Sequence, residues 1–107
     1  ESFIREFQDE FDEDDWDYIS IFQNLSEEFI REFKDKVNWW NISEYQKLSE
    51  DFIREFQNRV EWSNISQFQK LSESFIREFK DNVDWEWISM FQKLSEEFKK
   101  EFQNKFK

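Results

Sequence analysis

The chain contains no cysteine, histidine, glycine or proline, and no alanine or threonine. Without cysteine there is no disulfide framework and no thiolate metal site. Without cysteine and histidine together, the ordinary Ser-His-Asp and Cys-His arrangements cannot be built. Without glycine there is no glycine-rich phosphate loop, and every helix C-cap goes without the residue that most readily ends a helix. No apolar run approaches the roughly 20 residues of a membrane span. The acidic, amphipathic N-terminal stretch does not read as a signal peptide. These absences lead to the expectation of a non-enzymatic, cytoplasmic chain with no catalytic residues, metal, cofactor or membrane association.

What remains is charge and aromatic carbon. Asp and Glu number 26 against 15 Lys and Arg, a formal charge of −11 over 107 residues, with a mean hydropathy of −1.02. Such a chain repels nucleic acid, which is therefore not an expected partner. The 15 Phe and 6 Trp argue against disorder, because they supply a core. The length suits one small domain, 1–107, able to fold without covalent staples.

Leu25, Leu48, Leu71 and Leu94 stand 23 residues apart, and Phe29, Phe52, Phe75 and Phe98 keep the same step. Full units run 25–47, 48–70 and 71–93. Residues 1–24 form a varied first unit with a three-residue insertion in the acidic stretch Asp12–Asp15, and 94–107 form a half unit. In that half unit Lys99 replaces Ile30, Ile53 and Ile76, as befits a terminal cap with a polar face. Self-similarity at this period signals stacked supersecondary units.

Within a unit, Phe52, Ile53, Phe56 and Val60 fall within about 100° of arc on a helix, an amphipathic stripe. Ser49 is a candidate N-cap, with Glu50 and Asp51 at the positive end of the dipole. Arg54 faces away, and Glu27/Arg31, Glu50/Arg54 and Glu73/Arg77 have favourable i,i+4 spacing. Trp62, Ile65 and Phe68 form a second stripe, preceded by capping positions such as Asn38 and Asp84. A spacing of three drifts backwards round a helix, so this stripe cannot continue into the next unit. Two short helices per unit, of about 11 and 9 residues, are favoured over one of about 20. The fold class expected is all-α: tandem helix-turn-helix repeats stacked as a short α-solenoid or compact helical bundle.

The stretch Leu25–Phe56, LSEEFIREFKDKVNWWNISEYQKLSEDFIREF, resembles short tandem repeats in uncharacterised proteins of large DNA viruses and other AT-rich genomes. The composition equally suits an engineered derivative of one such repeat. Those proteins carry no assigned enzymatic activity, so the resemblance implies no functional residues.

Trp16, Trp39, Trp62 and Trp85 recur at one repeat position and read as inter-helix packing, their indole N–H groups finding partners near the turns. Trp40 and Trp87 vary between units and are the candidate contacts for a partner. The acidic run Asp12–Asp17 reads as a solvated insertion loop capped by Asp15, since it lacks the glycine and register of a calcium loop. Ser26, Ser49, Ser72 and Ser95 read as N-caps, and Ser20, Ser43, Ser66 and Ser89 as small packing or surface residues. Arg5, Arg31, Arg54 and Arg77 read as ion-paired. The function expected is a helical repeat scaffold or protein-interaction module, with a protein partner or self-association. The alternatives are an acidic mimic of nucleic acid that occupies a basic protein site, and a filament subunit.

Overall fold

A computed structural model describes residues 1–106. The described residues are helical, with no strand: α1 (Ser2–Glu6), α2 (Glu13–Phe22), α3 (Glu27–Glu32), α4 (Trp39–Tyr45), α5 (Glu50–Glu55), α6 (Trp62–Phe68), α7 (Glu73–Glu78), α8 (Trp85–Phe91) and α9 (Glu96–Glu101). Short 3-10 turns follow α1 and α9. Each repeat thus contributes two helices, and the even-numbered ones stack in order, α2 on α4 on α6 on α8. The stack measures 51 × 21 × 20 Å, the proportions of a short solenoid.

The helices are shorter than the stripes suggest: six and seven residues in the central units. Phe56 leaves the helical region at φ −108°, ψ 31°. The chain then makes one separate turn, closed by the Val60 N–H donating to the Phe56 carbonyl at 3.0 Å. The second helix ends when Gln69 becomes extended. Helices this short are marginal alone, so burial must hold them. Phe29, Phe52, Phe75 and Phe98 are fully buried in a core that runs from Ile4 to Phe98. Each such side chain contributes about 1.5–3 kcal/mol.

The serine caps form as the sequence indicates. Ser49 Oγ accepts from the Phe52 N–H at 3.1 Å, and Ser26, Ser72 and Ser95 do the same one unit apart. The acidic insertion behaves differently from the loop expected. Asp12, not Asp15, is the N-cap, and Asp15 reciprocates by accepting from the Asp12 N–H, closing a capping box. The three inserted residues simply add one turn: α2 has 10 residues where α4 has 7. Carboxylates at a helix N-terminus are stabilised there, which makes this acidic run a good first turn.

The intrahelical Glu–Arg pairs do not form. Four arginines instead reach into the next unit, Arg5 to Glu32, Arg31 to Glu55, Arg54 to Glu78 and Arg77 to Glu101, at 2.8–3.0 Å, and Arg54 also pairs with Asp51 in its own helix at 2.6 Å. The guanidinium groups also lie over Phe29, Phe52, Phe75 and Phe98. The glutamates expected to hold them serve the next unit as well. Glu27 and Glu50 accept from the backbone N–H and Oγ of Ser49 and Ser72. Arg54 is half-buried rather than turned to water.

Candidate interaction surface

The buried face of the second helix decides which side chains are left for a partner. In α6 the buried residues are Asn64, Ile65 and Ser66, followed by Gln69 at the C-cap, while Trp62 is half-buried. Trp62, Ile65, Ser66 and Gln69 stand at i, i+3, i+4 and i+7, an ordinary helical face with two polar members. The expected Trp62–Ile65–Phe68 stripe is therefore corrected at its last member. Phe68 lies off the core face and is 48% exposed.

The polar members bind neighbouring units together. Gln69 Nε2 donates to the Ser43 and Gln46 carbonyls at 3.0 and 2.7 Å, and its Oε1 accepts from the Leu48 N–H at 3.1 Å. The Ser43 hydroxyl accepts from the Glu61 N–H at 3.0 Å. Gln46 and Gln92 repeat the strap on their own predecessors. This answers how helices end without glycine. No described residue has positive φ, and the free carbonyls of one helix are met by a glutamine of the next. Among the described residues no buried side-chain polar atom lacks a partner. The strict recurrence of glutamine every 23 residues was a signal for this, but apolar periodicity does not weigh it.

The tryptophans divide as follows. Trp16 is buried against Phe11 and Phe33. Trp39, Trp62 and Trp85 stack on the phenylalanines of the following unit, and their indole N–H groups donate to the Lys34, Gln57 and Lys80 carbonyls at 2.9–3.1 Å. Trp40 is exposed near the start of α4. Trp87 is half-buried in α8 and packs on Phe91, 5.6 Å between centroids. The two occupy different repeat positions on helices separated by α6, so the stack does not bring them into one patch.

A row that the sequence reading passed over is continuous. Phe22, Tyr45, Phe68 and Phe91 hold one repeat position on α2, α4, α6 and α8, and are 65%, 53%, 48% and 53% exposed. Lys47, Lys70 and Lys93 follow the last three two residues later, all exposed. Between consecutive aromatics lie two equivalent clefts of about 410 and 420 Å³, the first lined by Tyr45, Lys47, Phe68 and Lys70, the second by Phe68, Lys70, Phe91 and Lys93. Packed helices sit roughly 8–10 Å apart, so the row is a ladder with rungs at about that spacing. The Glu44 carboxylate beside Tyr45 pushes its phenol above the ordinary range, leaving it neutral.

Several charges elsewhere are spent internally. The Arg31, Arg54 and Arg77 guanidinium groups hold Glu55, Glu78 and Glu101 below the usual carboxylate range, and the Ser26 N–H does the same for Glu1. Among the described residues no group of carboxylates is placed to hold a metal ion, and no helix is long and apolar enough to cross a membrane. Comparison with protein-family models, curated proteins and solved structures gives no match to this chain.

Proposed function

We propose that the chain is a non-enzymatic helical-repeat scaffold that binds an extended segment of another protein along the edge marked by Phe22, Tyr45, Phe68 and Phe91. The observation that carries this is the exposure of the same aromatic position in all four units. Isolated exposed apolar residues are common, but a contiguous row rimmed by polar groups marks an interaction surface, and aromatic side chains are the usual anchors. The lysine column selects an acidic partner on a chain that is otherwise strongly negative. A polyproline-II strand advances about 9 Å per three-residue turn, close to the helix spacing, so an apolar residue at every third position would meet successive clefts.

The reading as an acidic mimic of nucleic acid rests on net charge alone. Glu32, Glu55, Glu78 and Glu101 are tied to arginines, and Glu1, Glu27, Glu50 and Glu73 to serine caps. The carboxylates best ordered by the repeat are thus not free to imitate a row of phosphates.

Selection from a random peptide library on the folded chain tests the proposal. Enriched peptides should combine acidic with regularly spaced apolar residues and lose binding to a Tyr45→Ser, Phe68→Ser double variant. Enriched peptides that bind this variant as well as the parent would refute the assignment of the edge.

A further inference from the structure

The two clefts of the aromatic edge are lined by the same eight repeat positions, so they can be compared side chain by side chain. Six of the eight carry the same amino acid in both clefts. The other two are neighbours in sequence: Glu44 and Tyr45 in the first cleft stand where the second has Gln67 and Phe68. Glu44 and Gln67 are both half-buried, so each is part of its cleft wall. Two lysines line each cleft, with Lys70 common to both, and Lys47, Lys70 and Lys93 are all exposed. The second cleft thus presents two ammonium groups and no carboxylate, whereas in the first a carboxylate offsets one of the two. These charges differ from the arginine ladder in being uncommitted. Among the described residues Glu44, Lys47, Lys70 and Lys93 form no ion pair. The Glu44 charge is felt at the ring beside it, where it pushes the Tyr45 phenol above its ordinary range.

We infer that this difference sets the direction in which an extended segment lies along the edge: the segment's acidic residue sits at the Phe68–Phe91 cleft, beside Lys70 and Lys93, and an uncharged residue sits at the Tyr45–Phe68 cleft, beside Glu44. The inference deepens the reading of the edge as a seat for an extended acidic segment, and it rests on that reading. A polyproline-II strand has no internal hydrogen bonds and repeats every three residues, so it offers a similar row of side chains whichever way it runs. Apolar contacts in two clefts with the same aromatic walls therefore do not choose between the two directions. Charge does choose. A carboxylate in the first cleft meets Glu44 at close range and is repelled, while in the second it meets only ammonium groups. The groups are at least partly exposed, so the preference is that of surface charges, about two- to fivefold between the two placements. Specificity here comes from a repulsive element in one of two otherwise matched sites.

The test uses two proline-rich peptides of about nine residues, roughly 28 Å when extended, each with two leucines separated by one polyproline turn. One peptide carries an aspartate beside its first leucine, the other beside its second, and each bears a nitroxide spin label at the end nearer its aspartate. Added to the isotope-labelled chain, both should broaden the amides of Phe91 and Lys93 more than those of Tyr45 and Lys47, because the two peptides lie in opposite directions. The double variant Glu44→Gln, Tyr45→Phe gives both clefts identical linings, using residues that the fold already carries one unit later. In it the preference should disappear while both peptides still bind. Equal or reversed broadening at the two clefts in the parent, or a preference that survives in the double variant, would overturn the inference and leave the aromatic edge standing. Amide shifts centred away from both clefts, or no shifts at all, would overturn the edge itself and the inference with it.

Discussion

Gln69→Ala removes a side chain that carries no charge and little apolar surface, yet it should be among the costlier substitutions in the protein. Three backbone groups lose their partner at once: the Ser43 carbonyl, the Gln46 carbonyl and the Leu48 N–H, now bonded at 2.7–3.1 Å. A buried group left without a partner costs about 1–3 kcal/mol. The adjoining cleft between Tyr45 and Phe68 admits water to part of this site, so the sum falls short of three full penalties, at about 3 kcal/mol. The repeat supplies its own control. Gln23 holds the same position in the first unit, is exposed, and its side chain makes no hydrogen bond among the described residues. Gln23→Ala should therefore stay within about 0.5 kcal/mol of the parent. Urea titrations of the three proteins at one pH and salt concentration give the comparison through their midpoints and slopes. In a thermal melt the Gln69 variant should fall by on the order of 10–20 °C. Equal midpoints for the two variants would show that solvent satisfies these groups and that the glutamine strap does not hold the units together.

Phe52→Ala should cost about 3–5 kcal/mol, whereas Phe68→Ala, at the exposed aromatic position, should change stability by less than about 1 kcal/mol; similar losses would mean that the buried and exposed faces are misassigned. Ser49→Ala should cost about 1 kcal/mol by denaturant titration, through loss of the cap to Phe52. Arg54→Ala should destabilise less than Phe52→Ala, and its effect should shrink in high salt; an unchanged effect in 1 M salt would point to the ring of Phe75 rather than to Glu78 as its main partner. The Arg31, Arg54 and Arg77 guanidinium groups hold the folded pKa values of Glu55, Glu78 and Glu101 below the ordinary 4.5, so their stabilisation is present above that pH and is lost as the pH falls through the folded values. Melting temperatures measured from pH 6 to pH 2 should decline below about pH 4.5, and Glu78→Gln should flatten the decline.

Much of the architecture is readable because the repeat states it several times. Four serines each precede an acidic residue and an apolar stripe, and capping follows from that order directly. The tryptophans at one recurring position pack as their spacing implies. The errors arise where one residue has two partners to choose from. Arg54 can reach Glu50 one turn back, but it pairs with Asp51 in its own helix and with Glu78 in the next unit, and only the stacking distance brings Glu78 within reach. Asp12 and Asp15 are both good caps, and the helix begins one turn earlier because they cap together. Apolar periodicity places Phe68 in the core and gives the polar Gln69 no weight. A polar side chain belongs inside when it meets backbone groups that nothing else can satisfy, and hydrophobic periodicity cannot register that. The aromatic edge is hidden from the sequence for the same reason, since it is the remainder once the true core face is known.

The glutamine straps all point the same way. Each one reaches back over the unit before it, so the carbonyls that end a unit's second helix are met by its successor, while its N-cap N–H groups are met by its predecessor. The stack consequently has a polarity that its near-identical repeats conceal. Loosening one unit releases the carbonyls of the unit before it and the N-cap N–H groups of the unit after it. Nearest-neighbour coupling of this kind lets an opening travel along the array, and it starts most readily at α8, where the Ser89 and Gln92 carbonyls carry no strap among the described residues. Hydrogen exchange should therefore be graded along the chain, with the Ile88 and Gln92 amides exchanging ahead of the equivalent Ile42 and Gln46 amides.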